Sequence, residues 1–317
     1  MSQGPVAFLF PGQGSQAAGM GKELAALYPV ARHTFQEADE TLGFSISQLC
    51  FEGPDDQLKL TENTQPAILT MSTAVARVLQ EKGIVPQFAA GHSLGEYSAH
   101  VCAGTIPFAE AVCTVRNRGR YMQEAVPAGE GGMAAVLGMA LDQLQEVCAE
   151  AAQGEVVSPA NINSPDQIVI SGHQKAVERA AGLAKQRGAK KTVMLVVSAP
   201  FHCALMQPAQ DRLERDLQAL HFSNPELPVI SNIDAEPKST GEGSRQALVR
   251  QVTGAVQWAK SMQTLINLGV KTFIEVGPGK VLTGLMRQID RSQTCLNAED
   301  EASVQKVSNL FAAAAKE

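Results

Sequence analysis

The sequence predicts an α/β fold in which a large parallel-sheet domain is interrupted by a smaller βαββαβ unit. Three times, an apolar strand-like run meets a glycine turn and then helical periodicity: VAFLF before PGQGSQ, FAAG before HSLGEYSAHVCAG, and TFIEV before GPGKVLTGLMRQI. That alternation belongs to parallel sheets whose crossovers are helices. From about residue 128 to 198 the pattern changes to a strand at 133–137, a helix at 141–152, strands at 156–160 and 167–171, a helix at 174–187 and a strand at 192–197. This order is that of the ferredoxin-like unit, which buries two helices on one face of a four-stranded antiparallel sheet. GEGG at 129–132 and SAPFH at 198–202 mark its ends. The expected domains are therefore 1–127 with 199–317, discontinuous in sequence, and the insertion 128–198, with a cleft at the joint where pockets form.

Composition bounds the function classes. With 317 residues, 44% hydrophobic and 18% charged, the chain is of the globular type. The apolar run Val6–Phe10 is too short for a secretory signal and no lysine or arginine precedes it, so a cytoplasmic protein is expected. A net charge of −6 without a long basic run argues against a nucleic-acid partner. The six cysteines, at 50, 102, 113, 148, 203 and 295, form no CxxC pair and read as free thiols, with no metal site implied. A monomer is the default expectation.

GHSLG, residues 91–95, matches GxSxG, the nucleophile elbow, in which a strand ends, a serine takes a strained backbone angle and a helix begins. Gly91 and Gly95 would remove side chains that collide at the bend, and the Leu94 N–H would point toward the serine oxygen. The same residues also read as a capping box, Ser93-Leu-Gly-Glu96, worth about 1 kcal/mol and no chemistry. Five residues do not decide between these.

PGQGSQ at 11–16 formally matches a dinucleotide fingerprint, but residues 23–40 look helical where the second strand and its ribose-binding acid belong. The turn reads better as backbone N–H groups, around Gln13 above all, offered as a second oxyanion donor. His202, just after an apolar strand and a proline turn, is the best general base among the six histidines. His92 shapes the turn or the pocket, and His100 packs or faces solvent. In RNRGRYMQEA, Arg118 and Arg116 flank an apolar stripe and Arg120 lies further out, and periodicity alone does not choose among them.

The motifs FPGQGSQ, TQPAIL, GHSLGEYSA, RGRYMQ, ANINSP, FHCALM and EVGPGKVL, in this order over nearly the whole chain, resemble the malonyl-CoA:acyl carrier protein transacylase family of fatty acid synthesis. The resemblance implies a hydrolase-like parallel-sheet domain with Ser93 as nucleophile, His202 as general acid and base, and Arg118 as the grip on the malonyl carboxylate. It implies an oxyanion hole from the Gln13 and Leu94 N–H groups, and a backbone carbonyl of Gln251 that orients the histidine. Asn163 and Gln65 fall at motif positions near the cleft. Phe201 stands where the residue varies with acyl preference, His100 replaces a commonly apolar residue, and Ala255 replaces a proline, which would loosen the loop behind Gln251. Malonyl-CoA and a phosphopantetheine-bearing carrier protein would be substrates, with no bound cofactor. Arg187, Lys190 and Lys191 are candidates for a basic patch facing an acidic carrier protein.

Three other readings stand beside this one. A serine hydrolase shares the elbow but uses Ser, Asp or Glu, His in chain order. A silent coenzyme A or carrier-protein binding module would use Ser93 as a cap alone, and a polyketide acyltransferase would keep the chemistry in another pathway.

Overall fold

A computed structural model describes residues 4–314. Its strands, in chain order, are β1 (Val6–Phe10), β2 (Phe88–Gly91), β3 (Gly131–Leu137), β4 (Val157–Ser164), β5 (Gln167–His173), β6 (Lys191–Met194), β7 (Val229–Ile230), β8 (Pro237–Lys238), β9 (Thr272–Val276) and β10 (Thr294–Ala298). Six form one sheet in the order β10-β9-β1-β2-β7-β8, and every pairing is parallel except β7 with β8 at the edge. All five residues of β1 are buried, as a strand covered on both faces requires. β1 pairs with β2 on one side and β9 on the other, so the strand order reverses there. β1 and β2 are parallel neighbours, so the loops that follow their carboxyl ends lie side by side at one end of the sheet, where ligands of open α/β sheets bind. Those loops are PGQG and GHSLG.

The other four strands form an antiparallel sheet in the order β4-β5-β3-β6. The helices Leu141–Ala152 and Gln174–Gln186 cover one face, with Leu144, Val147, Val177 and Ala180 packed against Val136, Ile168 and Ile170. This is the predicted βαββαβ arrangement. Several strand ends shift by one or two residues, and two differ by more. β6 stops at Met194 instead of residue 197: the Leu195 N–H still donates to the Met133 carbonyl at 2.9 Å, but 196–197 leave the sheet and line a pocket, with Val196 fully exposed at 107%. β4 runs on to Ser164 through irregularities at Pro159/Asn161 and Ile162/Ser164. These bends re-aim side chains that a regular strand would send to alternate faces.

A seam joins the two sheets. The Val256 N–H donates to the Ala160 carbonyl at 2.8 Å, and the Ile162 N–H donates to the Val256 carbonyl at 2.9 Å. Beside Ala255, where a looser loop is expected, the next residue is buried and held by two backbone hydrogen bonds that need no proline.

No helix among the described residues is long and apolar enough to cross a membrane, and all six cysteines are free. His100 packs; it does not face solvent. It is fully buried, its Nδ1 lies 3.3 Å from Thr105 Oγ1, and burial pushes its pKa down to about 3. Folded protein thus resists protonating a ring that the unfolded chain protonates below about 6.5. Stability should fall as pH drops from about 6.5 toward 3, by up to about 1.4 kcal/mol per pH unit for this group. In His100→Leu, the melting temperature should fall less steeply between pH 6 and 4 by thermal denaturation; an unchanged slope would assign the acid sensitivity elsewhere.

Candidate active site

The serine sits where the physics of the bend requires it. Ser93 has φ of 52°, a left-handed conformation that costs a non-glycine residue on the order of 1–3 kcal/mol. A Cβ at Gly91 would lie 1.9 Å from Gly95, and one at Gly95 would lie 2.0 Å from the Phe10 carbonyl oxygen, so strand and helix meet here without side chains. Asn232 fastens the bend: its Oδ1 accepts from the Ser93 N–H at 2.7 Å and its Nδ2 donates to the Gly91 carbonyl at 2.7 Å. The capping box does not form. The helix Gly95–Cys102 has Leu94 at its N-cap with no side-chain cap, because the Ser93 hydroxyl turns into the crevice and Glu96 bonds elsewhere.

His202 meets that hydroxyl. Its Nε2 is 2.7 Å from Ser93 Oγ, and its Nδ1 is 2.8 Å from the Gln251 carbonyl oxygen. Gln251 is the last residue of the helix Gly241–Gln251, so its carbonyl belongs to the helix end, where no intrahelical donor follows. A carbonyl only accepts; Nδ1 therefore carries the proton and Nε2 presents its lone pair to the serine. Burial first, and the Arg118 cation second, push the imidazole down to about 3. It is neutral at neutral pH, as a general base must be.

Of the three arginines, Arg118 alone turns to the serine. Arg116 reaches Asn63 and lies over Phe44, and Arg120 lies over Tyr121. Arg118, on the helix Phe108–Glu124, is 1% exposed, and its Nη2 stands 3.1 Å from Ser93 Oγ. Nη1 donates to Gln65 Oε1 at 2.8 Å and Nη2 to Gln251 Oε1 at 2.9 Å. Among the described residues no carboxylate forms an ion pair with it, and its Nε has no hydrogen-bond partner. Burying a cation without an anion is costly, so the site holds a standing demand for a carboxylate beside the hydroxyl.

These groups open into a pocket of about 770 Å³ at the joint of the two sheets. Gln13, Leu94 and Phe201 line it from the large sheet's loops, and Met133, Asn161 and Leu195 from the small sheet. A Cβ at Gly12 would meet the His92 carbonyl oxygen at 2.5 Å, which shows how closely the Gln13 turn is pressed to the elbow. His92 Nε2 is 2.8 Å from Asn163 Oδ1, and its ring packs on Trp258 at 5.5 Å; His92 lines the pocket beside Ser93, and Asn163 stands behind it.

The acyl transferase domain family matches residues 7–310. The chain belongs to the acyl transferase family. Among acyl transferases, the malonyl CoA-acyl carrier protein transacylase of Escherichia coli (strain K12) is 51% identical over 284 residues, covering 89% of this chain and 92% of that one. The solved acyl carrier protein S-malonyltransferase of Vibrio cholerae superposes with a TM-score of 0.94 at 48% identity, covering 96% of this chain and 99% of its own. A type II PKS acyl-carrier protein in complex with its malonyl-transacylase gives 0.94 at 45% identity, with 96% and 99% covered.

Sequence reasoning missed three parts of this acyl transferase site. Asn232 lies in an unremarkable SNID stretch, and nothing local signals that it clamps the elbow 139 residues away. Glu96 was legible only as a cap, yet it is fully buried and accepts from Asn232 and Gln251. The Gln251 side chain, beyond its carbonyl, reaches Arg118 and Ser93. The basic patch fares differently: Arg187 pairs with Glu150 and Lys190 Nζ lies 3.8 Å from Asp166, so two of its three members have acidic partners, while Lys191 is exposed.

Proposed function

We propose that this chain transfers the malonyl group from malonyl-CoA to the phosphopantetheine thiol of acyl carrier protein through a malonyl ester on Ser93, in fatty acid synthesis. The reading rests on one hydroxyl that touches both a neutral imidazole and a buried guanidinium lacking an acid. His202 Nε2 takes the serine proton as Oγ attacks the thioester carbon. The resulting oxyanion sits against the Gln13 and Leu94 N–H groups, each worth about 3 kcal/mol in the transition state. On collapse the C–S bond breaks and His202 returns the proton to the coenzyme A thiolate. The carrier-protein thiol then gives its proton to His202, attacks the ester and releases Ser93.

Arg118 binds the free carboxylate throughout, Gln65 and Gln251 hold Arg118, and Asn163 with His92 sets the wall on which Phe201 faces the acyl group. His202 leans on a carbonyl and not on a carboxylate, which stabilises the imidazolium less and makes it a weaker base toward water. The same reading divides the chain into 1–127 with 199–317 and the insertion 128–198, acting as a cytoplasmic monomer with no bound cofactor.

Mixing the protein with malonyl-CoA, quenching and mapping peptides by mass spectrometry tests the reading. A malonyl group on Ser93 that disappears when reduced holo carrier protein is added supports transfer. An adduct that decays equally fast without acceptor supports hydrolysis, and no adduct at all refutes covalent catalysis.

A further inference from the structure

Arg118 is held by two carboxamides and a hydroxyl, and the acid of this network does not touch it. That acid is Glu96, 0% exposed. Between them stands the Gln251 side chain, whose Nε2 donates to Glu96 Oε2 at 2.7 Å and to the Ser93 carbonyl at 2.9 Å, while its Oε1 accepts from Arg118 Nη2 at 2.9 Å. The polarity of this amide is forced. Glu96 Oε2, which also accepts from the Asn232 N–H, and the Ser93 carbonyl are acceptors here and the guanidinium only donates, so a flipped amide would set like against like on three sides. The Asn232 N–H fixes the same Glu96 oxygen at 3.1 Å, tying the acid to the clamp that holds the elbow.

We propose that the Gln251 carboxamide is a specificity-determining spacer: oriented by Glu96, it keeps the protein's own acid out of contact with Arg118 and leaves the guanidinium open to the carboxylate of the incoming acyl group. This rests on the malonyl-transfer reading and deepens it. Were the acid one side chain closer, it would form the ion pair that the substrate has to form, and the charged acyl group would lose its advantage over an uncharged one. Glu96 acts through Gln251 and is a positioning residue.

The decisive variant exchanges the two groups, Glu96→Gln with Gln251→Glu. Total charge is unchanged and one acid and one amide remain; only their order toward Arg118 is reversed. The backbone carbonyl at 251 still serves His202. Rapid-quench loading of Ser93 from malonyl-CoA and from acetyl-CoA reads the outcome. Malonyl loading should fall about thirtyfold or more while acetyl loading stays within about threefold, collapsing the preference. Equal losses for both donors, or an unchanged ratio, overturn the proposal. Glu96→Gln alone retains the neutral spacer, and its malonyl-to-acetyl ratio should remain within about threefold of the unmodified protein. Loss of preference there overturns the proposal too, and this variant decides the question if the exchange variant does not fold by circular dichroism. An unmodified enzyme that loads acetyl as readily as malonyl would instead sink the clamp reading underneath.

Discussion

Ser93→Ala is expected to lower malonyl transfer by about 10⁴-fold or more and to leave no acyl adduct, because it removes the hydroxyl we propose carries the group between donor and acceptor. The fold should survive. Asn232 bonds the backbone of residue 93, not its side chain, and the flanking glycines are untouched. Alanine is as strained at φ 52° as serine, so the melting temperature should change little while activity disappears. His202→Ala should cost nearly as much without adding a second loss to Ser93→Ala, since we propose that the pair, in contact at 2.7 Å, acts as one unit. Steady-state transfer to holo carrier protein with intact-mass analysis checks both. Residual loading in Ser93→Ala would locate the nucleophile elsewhere.

The second large effect is expected at Arg118. Arg118→Ala removes the counter-ion we propose for the substrate carboxylate, and leaving a charge unpaired in a buried site costs about 3–5 kcal/mol. Malonyl loading should therefore fall by about 10²- to 5 × 10³-fold, and acetyl loading, which makes no use of that charge, by no more than about tenfold. The cation's burial raises the cost of an empty site, but Gln65 Oε1 and Gln251 Oε1 lose their donor in the variant, so no net gain in stability is expected. Equal losses with both donors would reject Arg118 as the discriminating group.

Much of this was readable from local rules. The βαββαβ order shows because each amphipathic segment there packs on the unit's own core. The elbow shows because its glycines are demanded by contacts within a few residues and with the neighbouring strand. Arg118 could not be separated from Arg116 by pattern alone, since the choice depends on where Gln65 and Gln251 arrive from 53 and 133 residues away. Glu96 misled for a physical reason: serine and glutamate at that spacing do cap helices, but a serine in the left-handed region points its hydroxyl away from the helix end. Asn232 had no signal at all, because a clamp made of one side chain on a distant backbone leaves no periodicity behind.

The seam at Val256 makes the histidine answerable to the smaller sheet. Residues 251 to 256 form one short tether, with the carbonyl that steadies the imidazole at one end and the attachment to Ala160 and Ile162 at the other. The smaller sheet and the imidazole's carbonyl partner are thus linked through six consecutive residues. A different lobe grafted onto this scaffold should therefore preserve the stitch as well as the cavity wall, because both ends of the tether share one short stretch of chain.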